Sequence, residues 1–140
     1  MRRAYPLVLA VVVLAGCGGS SPTYASKADA ICRKYKQKTD AISHPKTLAD
    51  LASVSDQVLP LLHDARRELR ALQPPAEQKA IASAWLDEFD VTIDDVEKIR
   101  DKARAGDAAG VQSVARPALR HNQRANELAA QLGMKVCSKD

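Results

Sequence analysis

Three cysteine thiols carry most of the chemistry that this sequence offers. Cys17 directly follows an apolar run, in the stretch VVVLAGCGGSSP of residues 11–22, whereas Cys32 and Cys137 stand far from it along the chain. A thiol is well suited to covalent attachment because its thiolate is a strong nucleophile. Two further thiols in an oxidising compartment can instead form a disulfide. The sequence thus offers one candidate attachment point and one candidate pair.

The first sixteen residues have the order of an export signal. Arg2 and Arg3 form a basic start, residues 7–15 are apolar, and small residues follow. A membrane-spanning helix needs about 20 apolar residues, so this run is too short to be an ordinary transmembrane anchor. We therefore expect residues 1–16 to be a signal peptide that is removed on export.

The tetrapeptide LAGC at residues 14–17 resembles the lipobox of bacterial lipoproteins, in which a leucine and two small residues precede the modified cysteine. This resemblance implies that the Cys17 thiol accepts a diacylglyceryl group and that Cys17 becomes the first residue of the mature protein. Its acyl chains, such as palmitate, contribute roughly 0.8 kcal/mol per buried CH2, and two chains anchor a protein stably. We expect a lipid anchor in the bacterial cell membrane, on its extracytoplasmic side. An unlipidated, secreted chain is the alternative.

Removal of the signal peptide changes both the size and the charge of the chain. It leaves 124 residues, enough for one domain with a hydrophobic core, and with Arg2 and Arg3 gone the formal charge falls from +4 to +2. So small a charge gives no argument for a nucleic-acid partner. We expect residues 17–23 to be the lipidated cysteine and a flexible tether, and residues 24–140 to be the folded body.

Cys32 and Cys137 remain as an even pair once Cys17 carries lipid, and in an exported protein such a pair predicts a disulfide. A bridge that closes a loop of about 100 residues contributes roughly 4 to 5 kcal/mol by the chain-entropy argument. Two free thiols are the alternative. A catalytic dithiol is disfavoured because the sequence contains no C-x-x-C.

The composition predicts an all-α body, because aromatic residues are scarce and no segment alternates between apolar and polar residues as strands do. Capping patterns mark two helix starts, at Ser26–Asp29 and Thr47–Asp50, and Gly106 and Gly133 mark two helix ends. The four predicted helices span about residues 26–43, 47–72, 75–103 and 107–132.

Short connections between these helices favour an up-down-up-down four-helix bundle. Pro60 and Pro117 lie inside the second and fourth helices, where each predicts a kink or a break. In this topology the start of the first helix lies beside the end of the fourth, so that a tail after Gly133 can bring Cys137 to Cys32. Tyr24 is expected ahead of the first helix, close to the membrane interface.

Four short stretches of the body resemble a group of small helical lipoproteins from high-GC Gram-positive bacteria. They are YASKADAICRKY, LRALQPPAE, AGD and LGMKVCS, and together they extend over most of the mature chain. The resemblance implies a disulfide-linked helical bundle. It implies no particular activity.

His121 is the candidate ligand residue of the bundle interior, because it lies on the inner seam of the fourth helix. Histidines on facing helices can hold a metal or haem in a bundle core. The sequence lacks Glu-x-x-His, His-x-x-x-His and C-x-x-C-H, so a histidine satisfied by hydrogen bonds at the core boundary is favoured. A copper site at Met134 and Cys137 is disfavoured because the disulfide would consume the thiolate.

Two charged stripes are candidates for a partner-binding surface. An acidic stripe lies on the third helix, on the face opposite Trp85. It consists of Asp87, Asp90 and Asp94 and extends to Glu97 and Asp101. The guanidinium groups of Arg116, Arg120 and Arg124 recur at every fourth residue of the fourth helix. The two stripes are expected to be solvated faces, or to meet in a surface network of salt bridges of small energetic worth. If they do not meet, they remain free for a partner.

No catalytic motif is present: the sequence has no nucleophile turn, no phosphate-binding glycine loop and no recognisable acid pair. We therefore expect a noncatalytic, membrane-anchored module of the cell envelope, without a cofactor, that binds an envelope protein or a small ligand. The alternative is a carrier of a small ligand, metal or haem in the bundle interior around His121. A pocket between the helices would favour the carrier, and a closed core the interaction module.

Overall fold

The computed structural model describes residues 21–139, in which the chain is all-helical and forms an up-down-up-down four-helix bundle. The predicted fold class is therefore confirmed. Cys17 and the predicted signal peptide lie outside the described residues. The helices are α1 (Tyr24–Asp40), α2 (Leu48–Arg70), α3 (Lys79–Arg104) and α4 (Ala108–Gln131), with a short 3-10 turn (Ala76–Gln78) ahead of α3.

Local caps fix three of the helix ends where the sequence predicts them. Thr47 and Asp50 form a reciprocal capping box at the start of α2, in which each backbone N–H donates to the other side chain at 3.0 Å. The Asp107 carboxylate accepts a hydrogen bond of 2.7 Å from the Gly110 backbone N–H at the start of α4. Gly106 adopts a φ of 71°, a left-handed conformation that glycine reaches without strain, and so ends α3.

The predicted capping box at Ser26–Asp29 is wrong. The N-cap of α1 is Thr23, whose hydroxyl accepts a hydrogen bond of 3.1 Å from the Ser26 backbone N–H. Asp29 lies in the second turn of the helix, and its side chain has other partners. The helix therefore begins before Ser26, and it ends at Asp40 rather than near Ser43.

The two internal prolines do not divide their helices. Pro60 lies inside α2 and Pro117 inside α4, and each helix continues through its proline without interruption. A proline removes one backbone hydrogen bond, so packing against neighbouring helices must outweigh that loss. Pro60 itself is exposed, while its neighbour Leu59 is buried in the core.

The hydrophobic core is concentrated at one end of the bundle, where α1 begins and α4 ends. The predicted position of Tyr24 at the membrane interface is wrong, because this residue is only 6% exposed and belongs to the core. Burial raises the pKa of its phenol. The buried residues of this end are Tyr24, Ala28, Leu69, Ala82, Trp85, Ala125, Leu128, Ala129, Leu132 and Met134.

A disulfide joins the tail after α4 to the middle of α1. Cys32 and Cys137 are bonded, with their Cα atoms 5.4 Å apart, so the predicted pairing is confirmed. The bond links two positions separated by 105 residues in the sequence. It holds the C-terminal tail against α1, beside the apolar end of the core.

Asp29 binds the same tail through its carboxylate. One oxygen accepts hydrogen bonds from the backbone N–H groups of Val136 and Cys137 at 2.8 and 3.0 Å, and the other accepts one from Lys135 at 2.8 Å. Burial works to raise the pKa of this carboxyl, but the three N–H groups and the charge of Arg33 outweigh burial and hold the pKa below its ordinary value. We call this contact and the disulfide together the tail clasp.

Farther along the helix, α1 is fixed to α2 by a short polar cluster. Glu68 accepts hydrogen bonds from the Tyr35 hydroxyl at 2.7 Å and the Lys34 ammonium at 2.5 Å. The hydrogen bond from Lys34, supported by the one from Tyr35, lowers the pKa of the Glu68 carboxyl. The tail clasp thus fixes α1 to the C-terminal tail, and this cluster fixes it to α2.

Asp29→Asn is expected to lower the free energy of unfolding by about 1.5–3 kcal/mol at neutral pH, since it removes the charge that three N–H groups share. Because the folded-state pKa of Asp29 is lowered, its stabilisation is complete above the unfolded-state pKa and is lost as the pH falls through the folded-state pKa. Urea titrations of both proteins should therefore converge in acid. Asp40→Asn, at an exposed acid of the same helix, should change stability by less than about 0.5 kcal/mol. Equal losses in the two variants would contradict this role of Asp29.

Candidate functional site

A groove with a volume of about 400 Å³ lies between α1 and α4 and reaches the core. Its floor is apolar and comes from α2 and α3, with Leu62, Leu69, Trp85 and Phe89. Its walls come from α1, from α4 and from the tail after α4. The residues of the walls are Cys32, Tyr35, Lys36, Thr39, Asn122, Ala125, Asn126, Val136, Cys137 and Lys139.

The spacing of the wall residues on α1 is that of one helical face. Cys32, Tyr35, Lys36 and Thr39 stand at i, i+3, i+4 and i+7, so all four face the groove. The disulfide therefore forms part of the wall. The same covalent bond that fixes the tail also fixes one side of the groove.

The groove exists because α1 and α4 make little direct contact along their length. Each helix packs mainly on its neighbour in sequence, so that α1 rests on α2, α2 on α3 and α3 on α4. Toward α1, the middle of α4 presents the small Ala125 and the polar Asn122 and Asn126. These side chains provide too little apolar bulk to draw the two helices together. The core consequently closes at the end that carries the tail clasp and stays open beyond it.

A second, shallower cavity of about 260 Å³ adjoins the groove between α3 and α4. Thr92 and Asn122 line both spaces, so the two are neighbours. Leu119 borders the second cavity and is 72% exposed, although leucine is usually buried. The other residues of this cavity are Asp95, Val96, Ile99, Ala115 and Ala118.

His121 contacts a buried acid that the sequence analysis does not identify. Its Nδ1 atom lies 2.8 Å from the Oδ2 atom of Asp95, which is only 6% exposed as a residue. The sequence feature that indicates the burial of Asp95 is its spacing. It stands three residues after Thr92 and four before Ile99, on the inner face of α3. The His121 side chain is 37% exposed and lines neither cavity. The interior space therefore lies beside Asn122 and Asn126 and not around His121.

The two charged stripes do not face each other. Asp90 binds Arg66 at 2.7 Å and Arg70 at 2.6 Å, both on α2, and Asp87 lies 3.7 Å from Arg70. The acidic stripe thus runs along the edge between α2 and α3. Asp94 is exposed and has no salt bridge with another described residue.

Among the arginines of α4, Arg124 reaches an acid of α3, but that acid is Glu88, at 2.9 Å, and not a member of the stripe. Arg116 and Arg120 are exposed and form no salt bridge within residues 21–139. They flank the exposed Leu119 on the same helix. The two stripes therefore do not meet, since Asp87 and Asp90 pair with arginines of α2 and Asp101 pairs with Arg100 on its own helix.

No group of three or more His, Cys, Asp and Glu side chains in the described part of the chain is arranged to hold a metal ion. The two residues considered for copper are engaged elsewhere. Met134 is buried in the core, and Cys137 is in the disulfide.

The chain has no significant match to a family model, to a curated protein or to a solved structure. Between residues 21 and 139, no helix is both long and apolar enough to cross a membrane.

His121→Ala is expected to lower the free energy of unfolding by about 1–3 kcal/mol, because it leaves the buried Asp95 carboxylate without its histidine partner. Adding Asp95→Asn should restore part of the loss, since an amide is less costly to bury than a carboxylate. His63→Ala is the matched control: His63 lies 3.6 Å from Glu97, and both side chains are more than 40% exposed. Thermal unfolding of the four proteins measures these effects. A loss for His63→Ala as large as that for His121→Ala would contradict the assignment.

Proposed function

We propose that this protein is a noncatalytic, lipid-anchored binding protein on the extracytoplasmic side of a bacterial membrane, and that it holds a small apolar molecule between α1 and α4. The observation that carries the proposal is the groove of about 400 Å³ that reaches Trp85. Its volume falls within the range of about 300–1,000 Å³ that is typical of ligand sites. The open core favours a ligand carrier over a module with a closed core.

The lining of the groove supports a ligand with an apolar body. Aromatic and aliphatic side chains form the floor, and a few polar groups, including Thr39 and two asparagines, stand on the walls. Ligand sites commonly combine a mostly apolar surface with a small number of polar groups that orient the bound molecule.

The disulfide supports a preformed site. Because Cys32 and Cys137 belong to the wall, the tail and α1 are joined before any ligand arrives. A site that is already ordered loses less conformational entropy when it binds.

The anchor is proposed from the LAGC sequence and is compatible with the start of α1. Six residues, 18–23, separate the proposed lipidated cysteine from the first residue of α1, so the segment spans seven Cα–Cα steps. A fully extended segment of this length reaches at most about 25 Å, at 3.3–3.6 Å per residue. The body would therefore stay close to the membrane, whose lipids are a source of apolar ligands.

A second candidate function is the binding of an envelope protein through α4. The observation that favours it is Leu119, which is 72% exposed and lies between the exposed Arg116 and Arg120. Arginine is enriched in protein–protein interfaces, so an exposed leucine flanked by two arginines offers a partner one apolar and two charged contacts. Leu119→Ser should abolish such an interaction and leave binding in the groove unchanged, so the two functions can be separated.

Cys17→Ala, exported behind a signal peptide that has no lipobox, is expected to move the protein from the membrane fraction to the soluble fraction of the producing bacterium, because the lipid has no other attachment point. The matched control is the double variant Cys32→Ser, Cys137→Ser, which keeps the LAGC sequence and should stay with the membrane. Intact mass of the purified protein reports the lipid directly. Membrane retention of Cys17→Ala, or a wild-type mass without lipid, would contradict the anchor.

Ligand binding is best measured on the mature chain (residues 17–140 with Cys17→Ala) exported behind a signal peptide that has no lipobox. Trp85 is the only tryptophan of the sequence and lies on the floor of the groove, so its fluorescence reports occupancy. Titration with n-dodecanol should change this fluorescence in a saturable way. Thr39→Phe, which fills the groove from α1, should weaken binding by at least about tenfold, equivalent to about 1.4 kcal/mol.

Gln37→Phe is the control for that substitution, because Gln37 is exposed on the same helix and does not line the groove. It should bind dodecanol as the unsubstituted chain does. If dodecanol does not change the fluorescence, or if Thr39→Phe and Gln37→Phe bind it equally, the groove is not a ligand site.

A further inference from the structure

We infer that the ligand of the groove is an anionic, single-chain amphiphile of the fatty-acid type, with its acidic head at Lys36 and Lys139 and its chain on Trp85 and Phe89. The inference rests on the proposed function, because it names the class of molecule that the same groove takes. It follows from the distribution of charge around the groove.

The charged residues that line the groove within the described part of the chain are both lysines. Lys36 comes from α1 and Lys139 from the tail that the disulfide joins to α1, so each of these two parts of the wall contributes one cation. No Asp or Glu of residues 21–139 lines this space. A groove with an apolar floor and cations at its wall favours an anionic group on the ligand.

Both lysines are exposed. Lys36 lies 3.2 Å from Asp40, but the side chains are 51% and 60% exposed, and such a surface pair contributes little energy. Lys36 can therefore exchange this partner for a ligand head group. Lys139 is exposed and forms no salt bridge with another described residue.

The surroundings on α1 add to the positive potential. The segment RKYKQK at residues 33–38 carries four cations. Glu68 pairs with one of them, Lys34. Lys38 lies 5.0 Å from the centre of the Tyr35 ring, which is itself a wall residue. An anion that approaches the groove along α1 thus meets a net positive surface.

The second cavity provides an internal contrast. Its lining within the described residues contains one acid, Asp95, and no lysine or arginine. An anionic head would be repelled there and attracted in the groove. The charges that line the two adjoining spaces therefore favour an anion in the groove over the second cavity.

The test compares three molecules that share one twelve-carbon chain: dodecanoate, dodecanol and dodecyltrimethylammonium. Each is titrated below its micelle concentration into the mature chain defined above, at pH 7.5 and low salt, with Trp85 fluorescence as the readout. We expect dodecanoate to bind about tenfold more tightly than dodecanol, since a charge-assisted contact strengthens binding by that order. Dodecyltrimethylammonium should bind most weakly. High salt should reduce the advantage of dodecanoate.

The double variant Lys36→Gln, Lys139→Gln should lose about tenfold in dodecanoate affinity and keep its dodecanol affinity within about twofold. Lys27→Gln, Lys98→Gln removes the same charge at two exposed positions that do not line the groove, and should leave both affinities unchanged. Circular dichroism checks that all variants stay folded. If either variant unfolds, single substitutions at Lys36 and Lys139 replace the pair.

The outcomes separate the inference from the function on which it rests. Equal affinities for dodecanoate and dodecanol, both weakened by Thr39→Phe, would overturn the anionic ligand and leave the apolar site in place. A dodecanoate preference that survives the Lys36 and Lys139 substitutions would also overturn the inference. Failure of all three molecules to bind would overturn the proposed function itself.

Discussion

The attachment of the C-terminal tail to α1 is the constraint on which the rest of this structure depends. The Cys32–Cys137 disulfide makes the attachment covalent, and three backbone N–H groups bind the Asp29 carboxylate a few residues away. Without these contacts, α1 would be connected to the bundle mainly through α2. With them, the start of α1 lies beside the end of α4, and Tyr24 and Ala28 complete the core there.

The same constraint leaves the rest of the interface between α1 and α4 open. The tail clasp acts at one end of the bundle, and farther along α4 presents small and polar side chains toward α1. An open groove reduces the apolar area that the bundle buries, and lost packing next to a cavity is destabilising. The disulfide offsets this loss because it restricts the unfolded chain. Stability and an accessible interior are thus compatible in a body of this size.

The features that the sequence predicts correctly are those that neighbouring residues determine. Thr47 and Asp50 form their hydrogen bonds within one helical turn. Asp107 caps the helix that it precedes, and Gly106 permits the left-handed end of α3. The disulfide is predictable for a different reason, because exclusion of Cys17 leaves a single possible pair. The order and direction of the helices follow from short connections and seam spacing.

The features that the sequence does not reveal depend on partners that are distant along the chain. Ser26–Asp29 has the same sequence pattern as Thr47–Asp50. The Asp29 carboxylate, however, binds three N–H groups that lie more than a hundred residues away, and it forms no capping box. The spacing of Asp95 places it on the inner face of α3, but its partner His121 lies 26 residues away and is not evident from the sequence. The groove depends on how far apart α1 and α4 lie. The spacing of residues within either helix does not determine that separation.

The most direct test of this account is a crystal structure of the mature chain grown with dodecanoate. We expect α1 and α4 to remain apart, the disulfide to be intact, and elongated density to lie between the two helices against Trp85 and Phe89. A structure in which Tyr35 packs directly on Ala125 and the helices close the groove, with the added molecule absent or bound elsewhere, would contradict it.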